Sequence, residues 1–130
     1  MIVVDASVVV EAVGGSSGRN LEALRRIAQD ATLAPHVLDV EVVSALRGLL
    51  RRNEIPEPVA RGALRHLAHL PIRRIPHEPL LQRCWELRDN LTVYDACYVA
   101  LAEATGATLL TSDRRAAGAP GVQCEIELLH

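Results

Sequence analysis

Two aspartates follow short segments that are typical of buried strands. Asp5 comes directly after Ile2–Val4, and Asp113 follows residues 109–111 after one intervening serine. An unbroken aliphatic run predicts a strand that is buried on both faces of a parallel sheet. Ligands of parallel α/β sheets bind beyond the carboxyl ends of the strands, so both aspartates are placed to hold a ligand.

Two further acids stand in the first turns of predicted helices. Glu41 lies beside the apolar stripe of its helix, with Asp39 as a rival acid in the same turn. Asp95 ends the segment 92–95 (Thr-Val-Tyr-Asp), which fits a capping box that opens at Thr92. The helix that follows is apolar nearly all round and must be deeply buried. Its N-terminal dipole favours the ionised form of Asp95, the form that a metal requires.

Each acid also has a purely structural explanation. Asp5 and Asp113 fit a helix cap or a turn, and an isolated Glu41 fits a solvated helix surface. Taken together, however, the four acids should face one edge of one sheet. Crowded carboxylates repel, and a hard cation such as Mg²⁺, or Mn²⁺ as an alternative, is the usual reason for such a cluster. A cation held there can activate a water and offset the charge of a phosphodiester during in-line displacement.

Repulsion within this cluster has a measurable consequence. It should raise the pKa of at least one carboxyl group. We therefore expect that neutralising Asp5 or Asp113 to Asn raises the melting temperature of the metal-free protein at neutral pH. The explanation of these acids as caps predicts an equal or lower melting temperature.

The composition narrows the function further. The 130 residues suffice for one domain, and the absence of Phe makes the core aliphatic. All fourteen basic residues are Arg, which excludes lysine-dependent sites, and the net charge of −2 gives no global attraction for nucleic acid. A phosphotransfer enzyme with an aspartyl nucleophile usually has a catalytic lysine, which this chain lacks, and a second acid where this chain has Ser7.

Cysteine usage and hydropathy predict a soluble cytoplasmic protein. The three cysteines, Cys84, Cys97 and Cys124, match neither a zinc spacing nor a disulfide framework, which indicates reduced thiols. The opening residues have no signal-peptide pattern, and no apolar run approaches membrane-spanning length.

Strands and helices alternate along the chain, which predicts an α/β domain with a mostly parallel sheet of about five strands flanked by helices. The predicted strands are Ile2–Val4, 31–34, Ile72–Ile75, 107–111 and 122–126. The predicted helices cover 21–28, 36–53, a segment that Pro56 or Pro58 opens and that runs to residue 70, 78–90 and 92–105. The segment 14–18, rich in Gly and Ser, predicts a loop.

Four segments together resemble the PIN-domain proteins. They are MIVVDAS at 1–7, PHVLDVE at 35–41, LTVYDA at 91–96 and LTSD at 110–113. Their order and the size of the chain resemble the VapC toxins of type II toxin–antitoxin systems in particular. The likeness covers nearly the whole chain and implies a single PIN domain over residues 1–130.

The resemblance implies a ribonuclease that depends on Mg²⁺ or Mn²⁺ and is silenced by a VapB-type antitoxin. The family's acidic quartet maps onto Asp5, Glu41, Asp95 and Asp113, and Ser7 and Thr111 become supporting hydroxyls. Some members carry a further acid after the fourth, where this chain has Arg114 and Arg115, so a second metal site would be weak. The resemblance also implies a homodimer, for which the helical segments 80–87 and 95–102 offer apolar surface.

Contacts to RNA are expected from arginines. Arg114 and Arg115 stand at the rim of the predicted site, although both also fit solvated turn residues. Weaker candidates are Arg47, Arg51, Arg52, Arg61 and Arg65. With so few aromatic residues, a platform for base stacking is not expected. A PIN nuclease outside a toxin–antitoxin pair and a catalytically silent PIN-fold binding protein remain alternative functions.

Overall fold

A five-stranded parallel sheet forms the centre of the molecule. The computed structural model describes all residues, 1–130. The strands are β1 (Ile2–Val4), β2 (Thr32–Pro35), β3 (Ile72–Ile75), β4 (Thr108–Thr111) and β5 (Ile126–Leu128). Their spatial order is β3-β2-β1-β4-β5, and Ile2 aligns with Thr32 on one side and with Thr108 on the other. The predicted α/β class, strand number and parallel orientation are confirmed.

Helices flank this sheet. They are α1 (Ala6–Gly14), α2 (Gly18–Gln29), α3 (Val37–Arg51), α4 (Glu57–His69), α5 (Leu81–Glu86), α6 (Val93–Thr105) and α7 (Arg114–Ala117). A 3₁₀ turn at Glu78–Leu80 precedes α5. No helix is both long and apolar enough to cross a membrane.

The core is aliphatic, as the composition predicts. Val3 and Val4 of β1 are fully buried, and every residue of α6 from Ala96 to Ala102 is buried. Helix α6 packs against β1, β2 and β4, so an apolar surface all round the helix is required. It ends at Gly106, whose φ of 69° is readily adopted only by glycine.

The strand order reverses between β1 and β4. From β1 the chain moves outward through β2 to β3, returns to β4 on the other side of β1, and continues to β5. The loops that leave β1 and β4 therefore run in opposite directions and open a crevice at the carboxyl edge of the sheet. Asp5 follows β1 and Asp113 follows β4, so this crevice lies between two of the four acids.

Three predicted elements differ from the structure. The last strand is not 122–126 but Ile126–Leu128, because these residues pair with Leu109 to Thr111 of β4. The predicted helix 78–90 is a 3₁₀ turn followed by α5, which ends at Glu86 in tight turns such as Arg88 N–H to Trp85 O. Helix α2 covers Gly18–Gln29 instead of 21–28, and its buried residues are Ala23 and Ile27, whereas Leu21 is exposed.

The Asp5 carboxylate joins the ends of β1 and β4. As the N-cap of α1, its Oδ1 accepts hydrogen bonds from the Val8 amide at 3.2 Å and from the Ser7 hydroxyl at 2.5 Å. Its Oδ2 accepts a hydrogen bond from the hydroxyl of Thr111, the last residue of β4. Asp5 therefore fixes the start of α1 and the end of β4 at the same time.

The two hydroxyls also bind the turn after β4. Ser7 Oγ accepts the backbone N–H of Ser112 at 2.9 Å, and Thr111 Oγ1 accepts that of Asp113 at 3.0 Å. Each hydroxyl thus accepts from the turn and donates to Asp5. This pattern requires Asp5 to act as an acceptor on both oxygens, as an ionised carboxylate does.

The Thr111 hydroxyl should contribute measurably to stability. Thr111→Val leaves Asp5 Oδ2 and the Asp113 amide without this partner and should lower the free energy of unfolding by about 1–3 kcal/mol. The matched variant Thr111→Ser keeps the hydroxyl and loses only one buried methyl group, about 0.8 kcal/mol. Urea unfolding of both variants measures the difference. A valine variant as stable as the serine variant would show that the hydroxyl bridge does not stabilise this junction.

Candidate active site

A single cleft of about 560 Å³ brings the four predicted acids together at the carboxyl edge of the sheet. Asp5 enters it from the β1–α1 junction, Glu41 from the second turn of α3, Asp95 from the first turn of α6, and Asp113 from the β4–α7 junction. The rival acid Asp39 does not line the cleft. It pairs with Arg74 of β3 at 2.9 Å.

Opposing effects act on the pKa of the Asp5 carboxyl group. Burial raises its pKa, the hydrogen bonds from Ser7, Thr111 and the Val8 amide lower it, and repulsion from Asp95 raises it again. The net result is a raised pKa. Of about four lone-pair positions on a carboxylate, three are occupied by these donors, which leaves one on Oδ2.

Glu41 is the least satisfied of the four acids. Burial raises its pKa, the nearby Tyr98 hydroxyl lowers it, and repulsion from Asp95 and Asp5 raises it further. Although the two side chains interact, neither Glu41 Oε1 nor the Tyr98 hydroxyl has a hydrogen-bond partner, and both atoms are buried. A buried carboxylate oxygen without a donor is costly, so this side of the cleft favours a cation.

Asp95 combines a cap with exposure to the cleft. The predicted N-cap is confirmed, since the Thr92 hydroxyl accepts the Asp95 backbone N–H at 3.1 Å. Burial raises the pKa of the Asp95 carboxyl group, the Thr92 hydroxyl lowers it, and repulsion from Asp113 raises it. The Thr92 cap therefore uses only the backbone N–H of Asp95, and the Asp95 carboxyl group still lines the cleft.

Asp113 differs from the other three acids. It caps α7, and its carboxylate accepts the Arg115 backbone N–H at 2.9 Å and two guanidinium N–H groups of Arg115 at 3.2 and 3.1 Å. The Arg115 guanidinium holds the pKa of Asp113 below its usual range. Asp113 still repels Asp95, but Asp113→Asn would also remove the ion pair with Arg115, so we expect this variant to be less stable than the parent, contrary to the expectation from the sequence.

The four acids supply the right donor atoms for a divalent cation, but their side chains do not converge on one point. No three of the acidic side chains converge closely enough to hold one ion in this conformation. Three protein donors bind the Asp5 carboxylate, and Arg115 binds the Asp113 carboxylate. Both carboxylates are therefore already engaged by groups of the protein. The donor set is nevertheless made of carboxylate oxygens, which Mg²⁺ and Mn²⁺ prefer, and Glu41 Oε1 has no partner.

Among the cleft residues that were not predicted from the sequence, three polar side chains bear on the chemistry of the site. Tyr98 lies three residues after Asp95 in α6, and this spacing places both side chains on one face of the helix. That spacing is the sequence signal that could have identified Tyr98. Ser112 adjoins Asp113, and its Oγ is buried without a hydrogen-bond partner. Arg19 follows the loop after α1, and no pattern in the sequence links it to the acids.

Stability should depend on pH in opposite directions at Glu41 and Asp113. The raised pKa of Glu41 gives stability that is present below its usual value of 4.5 and lost as the pH rises through the folded-state value. The lowered pKa of Asp113 gives stability that is present above 3.8 and lost on acidification. In chelator at neutral pH, we therefore expect Glu41→Gln to be more stable than the parent and Asp113→Asn to be less stable.

Urea unfolding at neutral pH and near pH 4 checks this pair of variants. The Glu41→Gln difference should shrink near pH 4, whereas the Asp113→Asn difference should persist there and shrink only below pH 3.8. Each variant serves as the control for the other, because both remove one negative charge from the same cleft. If both shift stability in the same direction at neutral pH, the assigned balance of burial and ion pairing is wrong.

Known proteins are similar to this chain in sequence and in fold. The PIN domain family model matches residues 2–121. Ribonuclease VapC1 of Mycobacterium tuberculosis is 46% identical over 128 residues, covering 98% of this chain and 96% of that protein. The crystal structure of M. tuberculosis VapC20, a sarcin–ricin loop cleaving toxin, has a TM-score of 0.68 and 20% identity over 95% of this chain and 99% of the other.

A toxin–antitoxin complex from Klebsiella pneumoniae has a TM-score of 0.65 and 18% identity, covering 100% of this chain and 98% of the other. At these identities the two structures support the fold. The family follows from the family model and from the full-length similarity to VapC1. The chain belongs to the PIN-domain family, among the VapC ribonucleases.

Proposed function

We propose that this protein is an endoribonuclease that depends on Mg²⁺, or on Mn²⁺ as an alternative, and acts as the toxin of a VapBC-type pair, with its PIN domain spanning residues 1–130. The observation that carries the proposal is the single cleft lined by Asp5, Glu41, Asp95 and Asp113. Two similar proteins support RNA as the substrate, since VapC1 is a ribonuclease by name and VapC20 is a toxin that cleaves the sarcin–ricin loop.

The four acids would hold the cation. When bound, it activates a water and offsets the charge that develops on the phosphodiester. Asp5 is oriented for this role by Ser7 and Thr111, whose hydroxyls fix both of its oxygens. Glu41 contributes the unpartnered Oε1, and Asp95 is held in place by the capped start of α6.

Asp113 must first exchange its partner. Its carboxylate is bound by the Arg115 guanidinium, and the Arg115 side chain is 91% exposed. An exposed side chain can swing away at low cost, since solvent replaces the ion pair. Arg115 therefore offsets the charge of Asp113, and its side chain would have to move away for Asp113 to hold a cation.

A VapB-like antitoxin is the proposed partner protein. The relatives carry the VapC name, and one structural neighbour is a toxin–antitoxin complex. The negative cleft would accept a basic side chain of the antitoxin in place of the cation's charge. The ion pair of Arg115 with Asp113 shows that a guanidinium fits one edge of this cleft.

We also propose a homodimer, through a surface that keeps the predicted segment 80–87 but not the segment 95–102. The segment 95–102 is buried within the monomer, apart from Asp95, and offers no apolar surface. Four exposed apolar side chains lie instead on α5 and the first turn of α6. They are Leu81, Trp85, Val93 and Tyr94, with 51, 62, 52 and 59% of each residue exposed. Aromatic residues in an exposed apolar patch are typical of an interface.

RNA cleavage should require both the cation and the cluster. Asp95→Asn should lower kcat/KM by more than about a hundredfold, because even indirect supports of a metal site contribute up to that much. Asp39→Asn is the matched control, since Asp39 pairs with Arg74 outside the cleft and should retain activity. The assay follows cleavage of total cellular RNA in Mg²⁺ and in chelator. Full activity in excess chelator would contradict the proposal, and no cleavage under any condition would favour the silent binding protein.

The dimer should depend on the α5 surface. Leu81→Asp places a charge in the proposed interface and should give the monomer mass by light scattering over a wide concentration range. Leu21→Asp is the control, because Leu21 is 68% exposed on α2, away from this patch. A parent protein that is itself monomeric over the same concentrations rejects the dimer.

A further inference from the structure

A second cavity adjoins the acidic cleft. It has a volume of about 300 Å³ and is lined by Arg19, Ser112, Arg114, Leu128, Leu129 and His130. Arg19 and Ser112 also line the acidic cleft, so the two cavities share a wall. The two cavities therefore adjoin at Arg19 and Ser112.

The two arginines after Asp113 have different surroundings. Arg115 turns back to form its ion pair with Asp113. Arg114 lines the second cavity and forms no ion pair with any carboxylate. Of the two predicted RNA contacts, Arg114 is therefore the one whose charge is not already paired.

Arg19 brings a second positive charge from a different element. Its nearest carboxylate oxygen, Glu11 Oε1, lies 3.9 Å away, which is too far for a hydrogen bond. Arg19 belongs to α2 and Arg114 to α7, ninety-five positions apart in the sequence by subtraction of their numbers. Only the folded chain brings these two guanidinium groups to one cavity.

Ser112 supplies an unused hydroxyl where the cavities meet. Its Oγ is buried and has no hydrogen-bond partner. Its backbone N–H is held by Ser7 Oγ at 2.9 Å, so the position of the residue is fixed by the same network that orients Asp5. A buried hydroxyl without a partner, beside two arginines, indicates a site for a ligand rich in acceptor oxygens.

We propose that this cavity binds the RNA phosphate next to the scissile one, through Arg19, Arg114 and the Ser112 hydroxyl. The inference rests on the proposed ribonuclease function. The acidic cleft by itself repels RNA, so an adjoining pair of cations is needed to hold the strand. Guanidinium groups suit this role, because their planar donors match phosphate oxygens in pairs.

The test measures RNA binding rather than cleavage. A fluorescently labelled, short single-stranded RNA of mixed sequence is titrated with the parent protein and with Arg19→Ala/Arg114→Ala in chelator, at several salt concentrations. Loss of one phosphate contact should weaken binding by about tenfold at low salt. It should also reduce the slope of log K against log salt by about 0.7.

Arg73→Ala is the control. Arg73 is an exposed arginine of β3 that lines neither cavity, so its variant should bind RNA as the parent does. An unchanged salt slope in the double variant overturns the proposal, as does an equal loss in the control variant. These results are separable from failure of the ribonuclease function, which the cleavage assay of the parent in Mg²⁺ reports.

Discussion

The Asp5 carboxylate accepts three hydrogen bonds where β1 ends, and these bonds connect elements that are distant in sequence. Through Val8 it starts α1, and through Thr111 it closes the end of β4. Through the Ser7 and Thr111 hydroxyls it also fixes the backbone of Ser112 and Asp113. The capping and metal-binding explanations of Asp5 are therefore compatible, because the donors that make it a cap also hold it in the cleft.

Negative charge is tolerated in this cleft by a different means at each acid. Asp5 is surrounded by donors, Asp95 lies at the positive end of α6, and Asp113 is paired with Arg115. Glu41 has the weakest compensation, since its Oε1 is buried without a hydrogen bond. The remaining imbalance is the physical reason to expect a divalent cation on the Glu41 side of the cleft.

The sequence predicted the features that depend on local patterns. The aliphatic run of β1 and the cap at Thr92 are each determined by neighbouring residues. The partner of Arg115, the orphaned hydroxyl of Ser112 and the exposure of Leu21 depend on packing between distant segments. Strand β5 lies further along the chain than predicted because its position follows from pairing with β4, which no local pattern encodes.

If these carboxylates form a site for a divalent cation, the protein should bind Mn²⁺ without RNA or antitoxin. Titration with Mn²⁺, followed by electron paramagnetic resonance of the free ion, measures this binding. We expect binding by the parent, binding at least about tenfold weaker in Glu41→Gln and Asp95→Asn, and binding no weaker in Arg115→Ala, since Asp113 then has no competing partner. Equal binding by the parent, Glu41→Gln and Asp95→Asn would contradict a cation site built from these acids.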